Sequence, residues 1–172
     1  IAIPTGIKMF NWVGTMFGGK IRFATPMLFS TGFLAMFLIG GLTGVMLATV
    51  PFDWQVSDSY FVVGHFHLTM AASALFGTFA ATYFWFPKMF GNMMSERLGK
   101  IHFWTTIIPL TIVFCTMFIS GYAGMPRRYY DHTYLEYLRD LQHLNEITST
   151  AAFILGAAQL IFAYNFIHSR WW

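Results

Sequence analysis

The stretch of sequence that decides the fold runs from Tyr60 to Pro87 and reads YFVVGHFHLTMAASALFGTFAATYFWFP. It contains no Asp, Glu, Lys or Arg. A helix needs about 20 predominantly apolar residues to cross the hydrocarbon core of a bilayer, and this stretch exceeds that length. It therefore predicts a transmembrane helix, and its two histidines, His65 and His67, are then expected to lie inside the membrane.

Apolar stretches of similar length lie on both sides of this one. Further transmembrane helices are predicted over Thr25–Val50, Ile101–Gly121 and Ile147–His168, and Ile1–Phe17 is interpreted as the end of another helix. Pro109 is expected to kink its helix, which membranes tolerate when neighbouring groups satisfy the freed backbone. Because the chain begins without Met and inside an apolar stretch, we expect it to be a segment of a longer polypeptide.

The composition agrees with a membrane protein. Of the 172 residues, 56% are hydrophobic and only 10% are charged, whereas soluble domains carry about 25% charged residues. No basic run suits nucleic acid, and the single Cys115 excludes a disulfide framework. The predicted fold class is all-α, a polytopic transmembrane helix bundle in which residues 1–172 form one domain.

The charged residues predict an orientation in the membrane. The connecting segments 18–24 and 88–100 and the C-terminal end are basic, segment 51–59 is acidic, and segment 122–146 is mixed. By the positive-inside tendency, the three basic segments are expected on the cytoplasmic or matrix side. Arg127 and Arg128 are then on the opposite side, and this exception requires a separate explanation.

His65 and His67 are the strongest candidates for chemistry. Positions i and i+2 are about 200° apart around a helix, so these side chains are expected to point to opposite faces and not to share one metal. Each could supply one axial nitrogen to a different heme iron. The alternative is that both are polar residues packed against neighbouring helices, a common role for histidine within membranes.

Thr5 and Lys8 form a second candidate site, because their i, i+3 spacing places them on one face of a helix. A lysine in mid-membrane is costly and usually faces a cavity or a proton route. The alternative is a lysine that reaches to the membrane surface from near a helix end.

Arg127 and Arg128 form a third candidate site. Two adjacent guanidinium groups suit bidentate pairing with carboxylates, among which are heme propionates. The alternative is a solvated turn whose charge is balanced by Asp131.

Two further features each allow two interpretations. The run Gly40–Gly44 removes side chains where a flat group could lie on the backbone, or it permits close packing of two helices. Asp53 and Asp58 could supply oxygen ligands to Mg²⁺, or they could lie in a solvated loop.

Together these residues resemble subunit I of cytochrome c oxidase, in the heme–copper terminal oxidase family of the aa3 type. The resemblance covers essentially the whole chain. Its motifs are Ile3–Lys8 (IPTGIK), Gly40–Gly44 (GGLTG), Tyr60–His67 (YFVVGHFH) and Met125–Tyr129 (MPRRY). It implies a C-terminal segment of a twelve-helix subunit, from the end of helix eight through helices nine to twelve.

The resemblance also implies roles for single residues. His65 matches the proximal ligand of the high-spin heme a3, and His67 matches a ligand of the low-spin heme a. Phe66 would help to keep the two hemes close. Thr5 and Lys8 match a proton route that leads to the oxygen site.

The charged residues acquire roles by the same resemblance. Arg127 and Arg128 match the partners of the heme propionates, which would explain their side of the membrane. Asp53 is similar to an acidic residue near a propionate of heme a3, and Asp58 matches a ligand of Mg²⁺. Position 57 departs from the pattern, because Ser57 stands where many members have a histidine that binds Mg²⁺, and a hydroxyl is a weaker ligand. The family's copper ligands lie upstream and are not in this segment.

The function implied is reduction of O2 to water with electrons from cytochrome c, coupled to proton pumping, or a quinol oxidase of the same family. The implied partners are the remainder of subunit I, subunits II and III, and cytochrome c or a cytochrome bc complex. The hydroxyl at position 57 favours a bacterial cytoplasmic (inner) membrane over the mitochondrial inner membrane. A b-type cytochrome without oxygen chemistry and a transporter are the alternatives from other classes; a transporter would show no heme absorbance.

Overall fold

The computed structural model describes residues 1–131 and 135–171, and within them it is a bundle of helices. In chain order these are α1 (Ala2–Met16), α2 (Thr25–Leu47), α3 (Val50–Val56), α4 (Tyr60–Phe66), α5 (Ser73–Phe90), α6 (Glu96–Tyr122) and α7 (Gln142–Trp171). A π-helical segment, His67–Ala72, joins α4 to α5, and a short 3₁₀ helix, Glu136–Leu141, precedes α7. The predicted all-α fold class is confirmed.

Four helical stretches of the described chain are long and apolar enough to cross a membrane, namely Thr25–Leu47, Tyr60–Phe90, Glu96–Tyr122 and Glu136–Trp171. They coincide with the four predicted spans. The predicted loop 51–59 was wrong in part, because α3 occupies most of it. The helix α6 continues through Pro109 without interruption.

The ends of the long helices each have an identifiable cause. Pro26 lies in the first turn of α2, where its missing N–H removes no helical hydrogen bond. The carboxylate of Glu96, from the start of α6, accepts the backbone N–H of Thr25 at 2.8 Å and so caps α2. Gly91 ends α5 in the left-handed conformation, with φ of 81°.

An aromatic core joins α2, α5 and α6. Phe29 is fully buried, and its ring contacts those of Phe76, Tyr83 and Phe103 at centroid distances of 5.2 to 5.7 Å. Helix α7 packs mainly along α6, and α4 packs against α6 and α2. The helix that carries the two histidines is therefore held between α2 on one side and α6 on the other.

Candidate functional site

His65 lies half-buried near the end of α4, with its ring against α2. Its Nδ1 atom is 2.9 Å from the carbonyl oxygen of Gly40 and 3.1 Å from the hydroxyl of Thr43. A carbonyl oxygen can only accept a hydrogen bond, so Nδ1 carries the proton. The other ring nitrogen, Nε2, has no hydrogen-bond partner among the described residues and keeps its lone pair available for a metal.

His67 repeats this arrangement on the other side of the helix. Its Nδ1 donates to the carbonyl of Val63 at 2.8 Å, and its Nε2 likewise has no hydrogen bond within the part of the chain that the structure describes. Its ring centroid is 6.2 Å from that of Phe114 on α6. The two rings thus face different neighbouring helices.

These donor atoms fit axial ligands of two separate heme irons. Histidines that bind metals almost always donate their second ring N–H to a carbonyl or carboxylate, which fixes the tautomer and the ring orientation. Both rings already have this support from carbonyl groups. In residues 1–131 and 135–171, no group of three His, Cys, Asp or Glu residues could enclose a metal ion. Heme ligation by His65 and His67 stays a prediction that this geometry favours.

The glycine run Gly40–Gly44 leaves room for the ring of His65 and lets the helix that carries this ring pack closely against α2. A Cβ on Gly44 would lie 2.7 Å from Cε1 of His65, and one on Gly40 would lie 2.9 Å from Cβ of Leu68. Gly41 has open space around it. Both interpretations of the run therefore apply, because Gly44 accommodates a flat imidazole while Gly40 permits close packing of two helices.

The π-helical segment directly after α4 is a feature that sequence patterns did not reveal. Its wider turn begins at His67, and such turns inside α-helices occur frequently at functional sites. The hydroxyl of Ser73 donates to the carbonyl of Leu68, five residues earlier, at 3.2 Å. Hydroxyl residues within an apolar stretch are the only sequence signal, and they are too common to predict such a turn.

A second group of candidate residues meets where two connecting segments pair. The Nε atom of Arg127 donates to Oδ1 of Asp58 at 2.8 Å, and a second guanidinium nitrogen contacts the same oxygen. The backbone N–H of Arg127 donates to the carbonyl of Asp58 at 3.0 Å, and that of Tyr60 donates to the carbonyl of Met125 at 3.0 Å. The structure therefore joins Asp58 to Arg127, a pairing that the sequence did not predict.

The backbone is strained on both sides of this pairing. Asp58 and Arg128 have positive φ values of 57° and 68°, which are uncommon for residues other than glycine. Such conformations persist only where the surrounding contacts require them, and they cluster at functional sites. Arg128 is exposed and has no hydrogen bond among the described residues.

The remaining candidates are not brought together. Asp53 lies half-buried in the first turn of α3, and no ion pair or hydrogen bond of the described chain joins its carboxylate to an arginine. Ser57 is exposed. Thr5 and Lys8 lie one turn apart on α1, where Lys8 is exposed and the hydroxyl of Thr5 bonds to the carbonyl of Ile1 at 2.9 Å. The proton-route and Mg²⁺ assignments stay predictions.

These features define a polytopic helical membrane protein with two histidines directed to opposite sides of one transmembrane helix. Residues 1–154 match the family described as cytochrome C and quinol oxidase polypeptide I. The chain belongs to this family.

Named relatives agree with that assignment. Cytochrome c oxidase subunit 1 of Corynebacterium diphtheriae is 49% identical over 169 residues, which cover 98% of this chain and 29% of the relative. The same subunit of Corynebacterium glutamicum is 47% identical over 169 residues, which cover 98% of this chain and 28% of the relative. The chain thus spans less than a third of the length of these relatives and corresponds to their C-terminal part.

Proposed function

We propose that this chain is the heme-binding C-terminal segment of the catalytic subunit of a cytochrome c oxidase. The complete enzyme would reduce O2 to water with electrons from cytochrome c and couple this reaction to proton pumping. The observation that carries the proposal is the matched state of His65 and His67, whose Nδ1 atoms donate to carbonyls while the Nε2 atoms have no hydrogen-bond partner among the described residues. Membership of the oxidase family supports it independently.

In this proposal the two histidines have separate tasks. His65 holds the iron of the high-spin heme a3, and His67 holds the iron of the low-spin heme a. When bound, the hemes supply electron transfer and an oxygen-binding iron, together with copper held by upstream residues. The chain contributes the position and tautomer of each ring, and α2 and α6 contribute the walls against which the rings lie.

Charged residues of segments 51–59 and 122–146 would bind the propionate groups at the edge of the hemes. Arg127 and Arg128 would pair with propionates, and Asp53 would lie near a propionate of heme a3. The side chain of Arg127 is only 27% exposed, which favours a role beyond a solvated turn. Nε and one terminal nitrogen of Arg127 contact Asp58, and the third guanidinium nitrogen, which has no partner in the part of the chain that the structure describes, would pair with a second carboxylate. Asp58 is also the candidate ligand of Mg²⁺.

Thr5 and Lys8 would form part of a proton route to the oxygen site. The support is their spacing on α1, which places the hydroxyl and the ammonium one helical turn apart. The remainder of subunit I would enclose this face of α1, and subunits II and III would complete the assembly.

We place the complete enzyme in a bacterial cytoplasmic membrane. The support is the four apolar spans of the described chain and the bacterial source of the relatives. Residues 1–172 would form one part of the subunit's single transmembrane domain. Either cytochrome c or a cytochrome bc complex would donate electrons.

Oxygen consumption by the full-length subunit, assembled with its partner subunits, tests the proposal. Reduced cytochrome c should sustain oxygen uptake, and a pyridine hemochrome spectrum should show heme A. Uptake sustained by quinol and not by cytochrome c would show that the enzyme is a quinol oxidase, a class that the family also includes. A preparation without heme absorbance would contradict the proposal and favour a transporter.

The role of Arg127 predicts opposite effects on heme potential from the two members of its ion pair. Arg127→Gln removes a positive charge near the heme, so it should lower the midpoint potential by favouring the ferric form. Asp58→Asn removes the charge that partly neutralises Arg127, so it should raise the potential. A spectroelectrochemical titration measures both, with Arg22→Gln, at an exposed position in the segment after α1, as the control. Unchanged potentials in both variants would mean that Arg127 serves only to hold the two connecting segments together.

A further inference from the structure

We infer that Thr43 is a positioning residue that acts through His65, fixing the rotation of its imidazole and strengthening its electron donation to iron. This inference rests on the proposed role of His65 as a heme ligand. Its basis is a cluster of three polar atoms on α2 and α4, within which the Thr43 hydroxyl contacts both the ring nitrogen and the carbonyl that this nitrogen uses.

Three distances define the cluster. The hydroxyl of Thr43 is 2.7 Å from the carbonyl oxygen of Gly40 and 3.1 Å from Nδ1 of His65. The same Nδ1 is 2.9 Å from that carbonyl oxygen. Each of the three atoms is therefore within hydrogen-bond distance of the other two.

The chemistry of the atoms fixes the direction of each bond. The Gly40 carbonyl can only accept, so both Nδ1 of His65 and the hydroxyl of Thr43 donate to it. The hydroxyl oxygen still has lone pairs, and its distance from Nδ1 lets it accept a share of the ring proton. A hydroxyl that donates to a carbonyl is a better acceptor, because successive hydrogen bonds polarise one another. Thr43 thus provides a second acceptor for the ring N–H.

Back-bonding to a carbonyl three or four residues earlier is ordinary for threonine in a helix. Thr31, on the same helix, shows the ordinary form, since its hydroxyl is 3.0 Å from the carbonyls of Met27 and Leu28 and bonds to no histidine of the described chain. Thr43 differs because the carbonyl it uses is also the acceptor of His65. Thr31 is therefore a matched control for effects of threonine on the helix itself.

Two consequences follow for the bound iron. Hydrogen bonds to the N–H of a ligating imidazole make the ring a stronger donor, which strengthens the iron–nitrogen bond and stabilises the ferric state. Two acceptors on adjacent turns of α2 also restrict rotation of the ring about its Cβ–Cγ bond. Removal of the hydroxyl should weaken both effects while the Gly40 carbonyl remains.

Resonance Raman spectroscopy of the reduced, ligand-free holoenzyme measures the iron–imidazole stretching mode directly. Thr43→Val, which keeps the shape and removes the hydroxyl, should lower this frequency and broaden the band, and the midpoint potential of the high-spin heme should rise. Thr43→Ala should do the same and serves if the valine variant does not assemble. Thr43→Ser should restore the native band, and Thr31→Val should leave it unchanged.

The outcomes separate this inference from the proposal beneath it. An unchanged or higher frequency in both hydroxyl-free variants would overturn the role of Thr43, as would an equal shift in Thr31→Val. An iron–imidazole mode that persists in His65→Ala would overturn the ligand assignment itself, and the role of Thr43 with it.

Discussion

At the scale of single residues, the number of hydrogen-bonded ring nitrogens distinguishes a histidine that is available to bind a metal from one that is packed as a buried polar residue. A packed histidine would be expected to use both nitrogens for hydrogen bonds, as His102 does with Tyr83 at 3.2 Å and Gln159 at 3.3 Å. His65 and His67 each use only Nδ1 within the described chain. Two kinds of intramembrane histidine are thus present in the same protein, and the pair His65 and His67 has the pattern expected of metal ligands.

Gly44 provides the most specific test of how His65 is held. Gly44→Ala would place a methyl group 2.7 Å from Cε1 of His65, so the ring must rotate or shift. We expect the full-length oxidase to lose most of its high-spin heme signal while the low-spin band remains, as measured by optical spectra of the reduced enzyme. Gly41→Ala is the control, because Gly41 has nothing within 4 Å. Native spectra in Gly44→Ala would show that the ring is not held in this position.

The sequence predicted the opposed directions of His65 and His67 from helical spacing alone, because that geometry depends only on the backbone. It did not predict Thr43, although the residue lies within the glycine run. Its contact with His65 depends on how α2 and α4 are packed, and no local pattern contains that information. The pairing of Asp58 with Arg127, 69 positions apart in the chain, was missed for the same reason.

At the scale of helices, buried polar pairs connect α6 and α7. The side chain of Asn165, which is fully buried, accepts the backbone N–H of Ser95 at 3.1 Å and donates to its carbonyl at 3.1 Å. Farther along, the hydroxyls of Thr116 and Thr148 are 2.6 Å apart. These contacts align two long helices whose apolar surfaces alone would allow several registers.

Asn165 should therefore contribute to stability beyond its packing. Asn165→Ala leaves the half-buried backbone N–H of Ser95 without this partner, whereas the carbonyl still accepts the N–H of Gly99 at 3.0 Å. One unsatisfied buried group costs about 1–3 kcal/mol. We expect a lower midpoint in a detergent-denaturation titration of the assembled enzyme, with unchanged heme spectra before the transition. Gln142→Ala, at the exposed start of α7, is the control and should have little effect. Equal stability of the two variants would contradict a contribution of the Asn165–Ser95 hydrogen bonds to stability.

The sequence predicted the spans better than their ends. The helix predicted over Ile147–His168 extends over Gln142–Trp171, and the one predicted over Ile101–Gly121 begins at Glu96. Hydropathy reports only the part of a helix within the hydrocarbon, whereas polar turns continue beyond it. The π-helical segment was missed because its local bond from the Ser73 hydroxyl to the Leu68 carbonyl has no distinctive sequence pattern. The short α3 was missed because a helix of seven residues is too short for hydropathy to reveal.

At the scale of the whole molecule, α1 contributes no buried residue and makes only slight contact with α2. The large apolar side chains Phe10 and Trp12 are exposed on it by 79% and 44%. The chain spans less than a third of the length of its relatives. In the proposed enzyme the remainder of subunit I would cover these side chains, and only then would Lys8 be enclosed.

Lys8 can be tested only in that complete enzyme. Lys8→Met should leave both hemes bound and the low-spin heme reducible at the native rate. Reduction of the high-spin heme should slow by at least about tenfold, because placing an electron there requires a compensating proton. A tenfold slowing corresponds to an increase of about 1.4 kcal/mol in the activation barrier. Stopped-flow spectra after addition of reductant follow both bands. Lys20→Met, in the exposed segment after α1, is the control, and native rates in Lys8→Met would mean that Lys8 only reaches the membrane surface.

The central claim is that His65 and His67 bind the irons of two different hemes. Optical and electron paramagnetic resonance spectra of the full-length oxidase carrying His65→Ala or His67→Ala test it most directly. We expect His67→Ala to lose the low-spin signal and keep high-spin iron, and His65→Ala to lose the high-spin signal and keep the low-spin one. Loss of the same heme signal from both variants, or retention of both signals in either, would contradict the claim.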